Sequence, residues 1–156
     1  MSEMRELMSH HAASGSVKWI GLRPARREAI IAVDTAAIIL SGLEGDRREK
    51  PGKRAVSLIQ WEHLPVIASL AGLDGVTPEM LRRNIAVAGI NLLALRGSRI
   101  QIGTATLLIT GPCAPCSRME AIMGHGGYNA MRGHGGVTAE VIEVGKITLG
   151  DAVSAI

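Results

Sequence analysis

The spacing of apolar positions changes along the chain, and each change marks an element. Val17 to Leu22 is a short apolar run that stops at Arg23-Pro24, the pattern of a strand entering a turn. Ala29 to Leu40 is dense in β-branched residues and predicts one or two strands, followed by the glycine turn around Gly42 and Gly45 and a charged loop to Arg54. Val56 to Gln60 reads as another strand. The period then switches: Trp61, Leu64, Ile67, Ala68 and Ala71 recur at three- and four-residue spacing, the stripe of an amphipathic helix closed by Gly72. Thr77-Pro78-Glu79 supplies an N-cap and a proline at the first helical position, predicting a short helix through Arg82.

From Ile85 onward the strand pattern returns, over Ile85 to Val87, Arg99 to Ile102, Thr106 to Thr110, Val137 to Val144 and Lys146 to Leu149, with glycines between the runs. Many short strands, glycine turns and few helices predict a mainly β protein, a barrel or sandwich, with no strand–helix alternation long enough for a doubly wound sheet. Met4, Leu7 and Met8 have helical spacing, but Ser9 to Gly15 continue no apolar face. Residues 1–15 are therefore read as a flexible tail ahead of a single domain spanning 16–156.

Composition sharpens this picture. The 156 residues are 47% apolar, enough for a real core, yet include no Phe, one Tyr and two Trp, so aliphatic side chains and Met must build the interior. The aromatic shortage argues against modules that stack bases on rings, and a net charge of +3 is far from a polybasic surface, so no nucleic-acid partner is expected. No apolar run is long enough to span a membrane, the N-terminus lacks the apolar core of a signal peptide, and the two cysteines are too close for a disulfide framework. A soluble cytoplasmic protein is expected. Of the 17 basic residues 13 are Arg, a bias that suits bidentate binding of carboxylate or phosphate.

Candidate chemistry concentrates in Thr110-Gly-Pro-Cys113-Ala-Pro-Cys116-Ser117-Arg118-Met119-Glu120, where a strand gives way to a short helix over Ser117 to Met123. Cys116 falls at or beside the helix N-terminus, where free amides and the dipole favour a thiolate, and Arg118 is near in sequence. Four readings of the cysteines stay open: a thioredoxin-like dithiol, a zinc site completed by His125 and His134, two inert thiols at a tight turn, and a single reactive Cys116. Two polar clusters could serve a thiolate, Gly45-Asp46-Arg47-Arg48 and Arg82-Arg83-Asn84. Gly124-His125-Gly126-Gly127 recurs as Gly133-His134-Gly135-Gly136, either as flexible loops or as a rim whose backbone amides face an anion.

Four blocks, in order, resemble the MOSC domain family, named after the C-terminal region of molybdenum cofactor sulfurase. They are Gly42-Leu-Glu-Gly-Asp-Arg47; Val56-Ser-Leu-Ile-Gln60 with Glu62; Leu81-Arg-Arg-Asn-Ile85 running into Gly89-Ile-Asn-Leu92; and Pro115-Cys-Ser-Arg-Met119 with Gly135-Gly136 and Gly150-Asp151. The similarity spans roughly Ser16 to Val153. It implies an irregular closed β-barrel with a few short helices and a single motif cysteine, here Cys116, that handles sulfur as a persulfide or meets molybdenum through a bound molybdenum cofactor (molybdopterin). Gly45, Asp46, Arg47, Arg82, Arg83, Asn84 and Arg118 would form the adjacent cofactor-binding pocket for a small anionic or pterin ligand. A cysteine desulfurase or a molybdoenzyme would be the partner, in a sulfurtransferase-like role; no lysine motif for pyridoxal phosphate is seen.

Two departures stand out. Arg48 occupies a position where the family often carries His, and Cys113 is an extra thiol. A non-catalytic pterin- or anion-binding module, and a Cys113/Cys116 dithiol redox switch, are the alternative functions.

Overall fold

Residues 2–156 are described by a computed structural model, and their architecture follows from strand pairing across large sequence distances. Helix α1 (Glu3–Met8) precedes strands β1 (Gly15–Leu22), β2 (Ile31–Val33), β3 (Thr35–Ile39), β4 (Gly42–Leu43) and β5 (Val56–Gln60). Helices α2 (His63–Ala71) and α3 (Pro78–Leu81) lead to β6 (Ile85–Ala88), a 3-10 turn (Leu92–Leu95), β7 (Arg99–Ile102) and β8 (Ala105–Pro112). Helices α4 (Arg118–Met123) and α5 (Gly127–Met131) then precede β9 (Val137–Glu143), β10 (Gly145–Thr148) and β11 (Ala152–Ala155).

The main sheet runs β11-β7-β8-β9-β5-β6-β1 and closes because β11 also pairs with β1, giving a seven-stranded mixed barrel. Closure leaves no open edge among these seven strands, the usual answer to the hazard of unpaired strand edges. Strand β2 extends the sheet as a hairpin partner of β1, while β10, β3 and β4 form a small second sheet. The pairing β5–β6 is parallel, and the parallel return is made by α2 and α3.

That crossover explains the burial of β5, whose five residues are all buried. Val56 and Leu58 point into the barrel core with Ile85, Ile100 and Leu107, while Ile59 points outward into a second core beneath α2 and α4. A strand covered on both faces reads as a continuous apolar run rather than an alternation. In the absence of Phe, Met119, Met123 and Met131 fill the helix layer, where unbranched, adaptable side chains suit an irregular space.

Several boundaries differ from the sequence reading for local reasons. The helix expected from Trp61 starts at His63, and the one expected through Arg82 ends at Leu81, because Arg82 itself adopts a left-handed conformation as C-cap (φ 56°). Within the expected tail, residues 3–8 form a helix with no buried residue, its first turn capped by the Ser2 hydroxyl accepting from the Arg5 amide. Strand β11 carried no sequence signal, being four residues long with a single buried one, Val153; its pairing partners, not its composition, make it a strand. Helix α5 lies between the two Gly-His-Gly-Gly segments, where the sequence suggested only loop. No helix among the described residues is long and apolar enough to cross a membrane.

Candidate functional site

A cavity of about 250 Å³ opens where the β1–β2 loop, the β4–β5 loop, the α3–β6 junction and the β8–α4 segment meet. Arg47, Arg82, Arg83, Arg118 and Cys116 all line it, although the sequence separates the first from the last by most of the barrel. Arg23, Arg26, Arg54 and Cys113 also belong to the wall. These three arginines were missed; the Arg-Pro-Ala-Arg-Arg run at 23–27 and the end of the charged loop were the available signals.

Cys116 is exposed and Cys113 buried, and both thiols are free. The Cys113 amide donates to the Gly136 carbonyl at 2.8 Å, which fixes the inner thiol to the end of the second glycine segment. Cys116 lies just before α4, whose N-cap is Ser117, and its carbonyl accepts from the Met119 amide at 3.0 Å.

Arg83 is the most constrained of the cations. It is only 7% exposed, its Nε donates to the Gly135 carbonyl at 2.9 Å and its Nη1 to the Leu81 carbonyl at 3.0 Å. Its Nη2 is buried without any partner. Burial pulls the guanidinium below its ordinary pKa; the nearby Cys113 and Cys116 oppose that pull, and Arg23 and Arg54 reinforce it. An unpartnered buried donor is costly unless something completes it. Two carbonyls hold the guanidinium plane still, so that donor is preorganised for an acceptor.

Arg82 reaches the site by a strained backbone. Its left-handed conformation is uncommon for a residue with a Cβ, and its guanidinium donates to the Glu28 and Ala25 carbonyls, tying down the β1–β2 loop. Burial lowers its pKa most, followed by the charges of Arg118, Arg23 and Arg47. Like charges are thus crowded together. Among the described residues, Arg23–Asp46 is the one arginine–carboxylate ion pair.

Gly45, Asp46 and Asn84, expected as ligand contacts, do not line this cavity. Asp46 accepts from the Arg23 amide at 2.8 Å and from its guanidinium at 3.1 and 2.9 Å, with only 1% of its side chain exposed. Burial raises the Asp46 carboxyl, but the Arg23 side-chain and backbone bonds and the Asn84 amide outweigh it and leave the pKa below its ordinary value. Asn84 is fully buried: its Nδ2 donates to Gly21 and Asp46, and its Oδ1 accepts from the Ser57 amide and hydroxyl. With all four amide valences used, it knits β1, β5 and the Asp46 turn together rather than meeting a ligand. Gly45 supplies the positive φ (93°) of that turn. Gln60 and Glu62 likewise fasten structure: Gln60 Oε1 accepts from the Leu92 amide and Glu62 Oε2 from the Gly89 amide.

The zinc arrangement does not assemble. Among the described residues no three His, Cys, Asp or Glu side chains come together. His125 is fully exposed, and His134 stacks edge-on against His63 at 5.3 Å. The anion-facing amides expected of the glycine segments do occur in the first copy, but the anion is internal: Glu120 accepts from Gly126 and Tyr128 at 3.0 and 3.1 Å.

The sequence matches the MOSC domain family over residues 11–154. The chain belongs to the MOSC family. That family is associated with molybdenum cofactor binding and sulfur transfer. Solved structures of the same fold include the YuaD protein from Bacillus subtilis, at 22% identity, TM-score 0.80, covering 90% of this chain and 94% of that one. YiiM from Escherichia coli aligns at 20% identity and TM-score 0.71, covering 90% of this MOSC chain and 69% of its own. YiiM from Geobacillus stearothermophilus aligns at 17% and 0.73, covering 91% and 75%. No curated protein matches.

Proposed function

We propose that this MOSC protein is a sulfur carrier or molybdenum-cofactor-binding protein in which Cys116 is the nucleophile or ligand and the arginine wall holds the anionic part of the cofactor. The observation that carries the reading is the meeting of an exposed thiol with the unpartnered, buried Nη2 of Arg83 in one cavity. Phosphate is an acceptor that guanidinium forks bind bidentately, and a thiolate is a soft ligand suited to molybdenum. A molybdopterin would thus find donors at Arg47, Arg82, Arg83 and Arg118 and a metal ligand at Cys116. Bound there, such a cofactor would supply oxygen- or sulfur-atom chemistry at its metal.

As sulfur carrier, Cys116 thiolate attacks the outer sulfur of a donor persulfide, such as that of a cysteine desulfurase. A new S–S bond forms at Cys116, the donor's S–S bond breaks, and the donor leaves as a thiolate. No net oxidation occurs. The neighbouring guanidiniums favour the anionic thiolate or persulfide electrostatically. A molybdoenzyme or its cofactor would then accept the sulfur.

The test is anaerobic incubation with a cysteine desulfurase and sulfur-labelled cysteine. Wild-type protein is expected to carry label on Cys116, and Cys116→Ser none, with a stability change of about 1 kcal/mol or less because the side chain is exposed. Arg83→Lys is expected to keep the label while weakening phosphate binding, since a point charge cannot reproduce the fork. Wild-type protein that never takes label, yet binds molybdopterin with or without Cys116, would make this a binding module instead.

A further inference from the structure

Next to the cysteine cavity lies a second hollow of about 360 Å³, and its wall consists of Arg23, Arg47, Arg48 and Arg54 alone. Three of these, Arg23, Arg47 and Arg54, also line the cavity that holds Cys116. The two hollows therefore share a wall of guanidiniums. Arg48 belongs to the outer one alone.

We propose that the two hollows form one divided anion site, which takes a diphosphate ester rather than a phosphate monoester, with the second phosphate in the outer hollow. The proposal rests on the binding reading above only for what lies at the Cys116 end.

Three physical arguments support it. First, this wall has almost no internal counter-charge: of its four arginines only Arg23 is paired with a carboxylate among the described residues. Arg48 instead donates through Nε to the Lys50 carbonyl at 2.9 Å, which orients the side chain and leaves its charge uncompensated. Crowded guanidiniums repel one another until an anion joins them. Second, each guanidinium offers five donors in a planar fork, so a wall this large presents more donors than the oxygens of a single phosphate can accept. Third, the shared wall sets the two hollows side by side. Two phosphates joined by a bridging oxygen meet that arrangement without the entropy cost of binding two separate ions.

Calorimetry at fixed ionic strength, comparing inorganic phosphate with inorganic pyrophosphate, tests the proposal on the intact chain. Wild-type protein is expected to prefer pyrophosphate by about tenfold or more, the gain of a linked second contact. Arg48→Gln should remove most of that preference, roughly fivefold or more for pyrophosphate and under about twofold for phosphate. Arg54→Gln, which touches both hollows, should weaken both ligands. Arg132→Gln removes the same charge from an exposed position outside the cleft and should change neither. Melting curves of all variants confirm that each is folded.

Equal affinity for the two anions would overturn the proposal. So would Arg48→Gln and Arg132→Gln weakening both ligands alike, which is the mark of general attraction. Tighter binding of single-stranded oligonucleotides, growing with their length, would overturn it in favour of a nucleic-acid surface. Sulfur labelling of Cys116 is read in parallel: a wild-type protein that prefers pyrophosphate but takes no label keeps the divided site and loses the sulfur carrier. A labelled protein with no such preference does the reverse.

Discussion

The chain contains the sequence Gly-His-Gly-Gly twice, and the two copies differ most at their histidines and third glycines. In the first, Gly126 has open space where a side chain would stand, His125 is fully exposed, and the amides of Gly126 and Tyr128 close onto Glu120. In the second, a Cβ on Gly135 would strike the Cys113 carbonyl, and one on Gly136 would strike the Leu58 carbonyl of β5. Its histidine, His134, is half-buried against His63 with Nδ1 unpartnered. The first copy caps a helix at the surface. The second fastens two residues that line the cysteine–arginine cavity, since the Gly135 carbonyl holds Arg83 and the Gly136 carbonyl holds Cys113. At the third position identical glycines are thus needed for different reasons, conformation alone at Gly126 and closeness of approach at Gly135, whereas the last glycine of each copy, Gly127 and Gly136, is crowded by backbone in both.

The largest expected break of this contrast is Gly136→Ala. Both the positive φ (84°) and the contact with the β5 backbone oppose a side chain, so a loss on the order of 3–5 kcal/mol is expected. Chemical denaturation checks it; a loss under about 1 kcal/mol would show that β5 yields easily. Gly135→Ala comes next. Its φ is ordinary, so the cost falls on the Cys113 and Arg83 contacts, and phosphate binding should drop about tenfold while the barrel stays folded. Titration by calorimetry, with a melting curve as control, reads both quantities.

Gly126→Ala is the matched change in the first copy. Only the left-handed conformation (φ 87°) opposes it, at about 1–2 kcal/mol, and phosphate binding should not change. The smallest effects are in the pH dependence. Burial, followed by the charge of His134, lowers the His63 pKa, with Glu62 opposing. The unfolded chain thus binds a proton more readily, and this site's support is complete above the ordinary value of about 6.5 and declines as pH falls below it. Hydrogen bonds from Gly126 and Tyr128 lower the Glu120 carboxyl, against slight desolvation, so the first copy should hold until pH falls below about 4.3. Proton NMR of His63 and amide exchange at Gly126 and Tyr128 should therefore separate the two copies by acid sensitivity.

Much of the barrel was legible because its inner strands carry their own pattern. Val56 to Gln60 and Arg99 to Ile102 fall where the apolar periodicity placed them. Strand β11 was invisible because only Val153 is buried, and what makes it a strand is its partners, Gly15 and Ile102. At the site, the sequence indicated the arginines of two motif blocks but not their use. Asn84 stands in the same block as Arg83, yet it faces inward to Ser57 and Gly21 while Arg83 lines the cavity. These residues precede β6 and obey no strand alternation, since Arg82 and Arg83 both line the cavity, and what becomes pocket depends on loops more than 20 positions away. Arg23, Arg26 and Arg54 sit on such loops, and only the closed barrel gathers them.

The strand that seals the barrel has a consequence for how this protein is made. Val153 pairs with Gly15 on one side and with Ile102 on the other, so ring closure joins residues 138 positions apart. Until that stretch has left the ribosome, the nascent chain must carry β1 and β7 as bare edges, able to pair with the same edges on a neighbouring chain. Such non-local closure is slow relative to helix formation, because the long loop must be gathered before any contact rewards it. The arginines and both cysteines are synthesised before β11, but the enclosed barrel that supports them is complete only after it, so a chain released before β11 is made would leave an aggregation-prone open sheet.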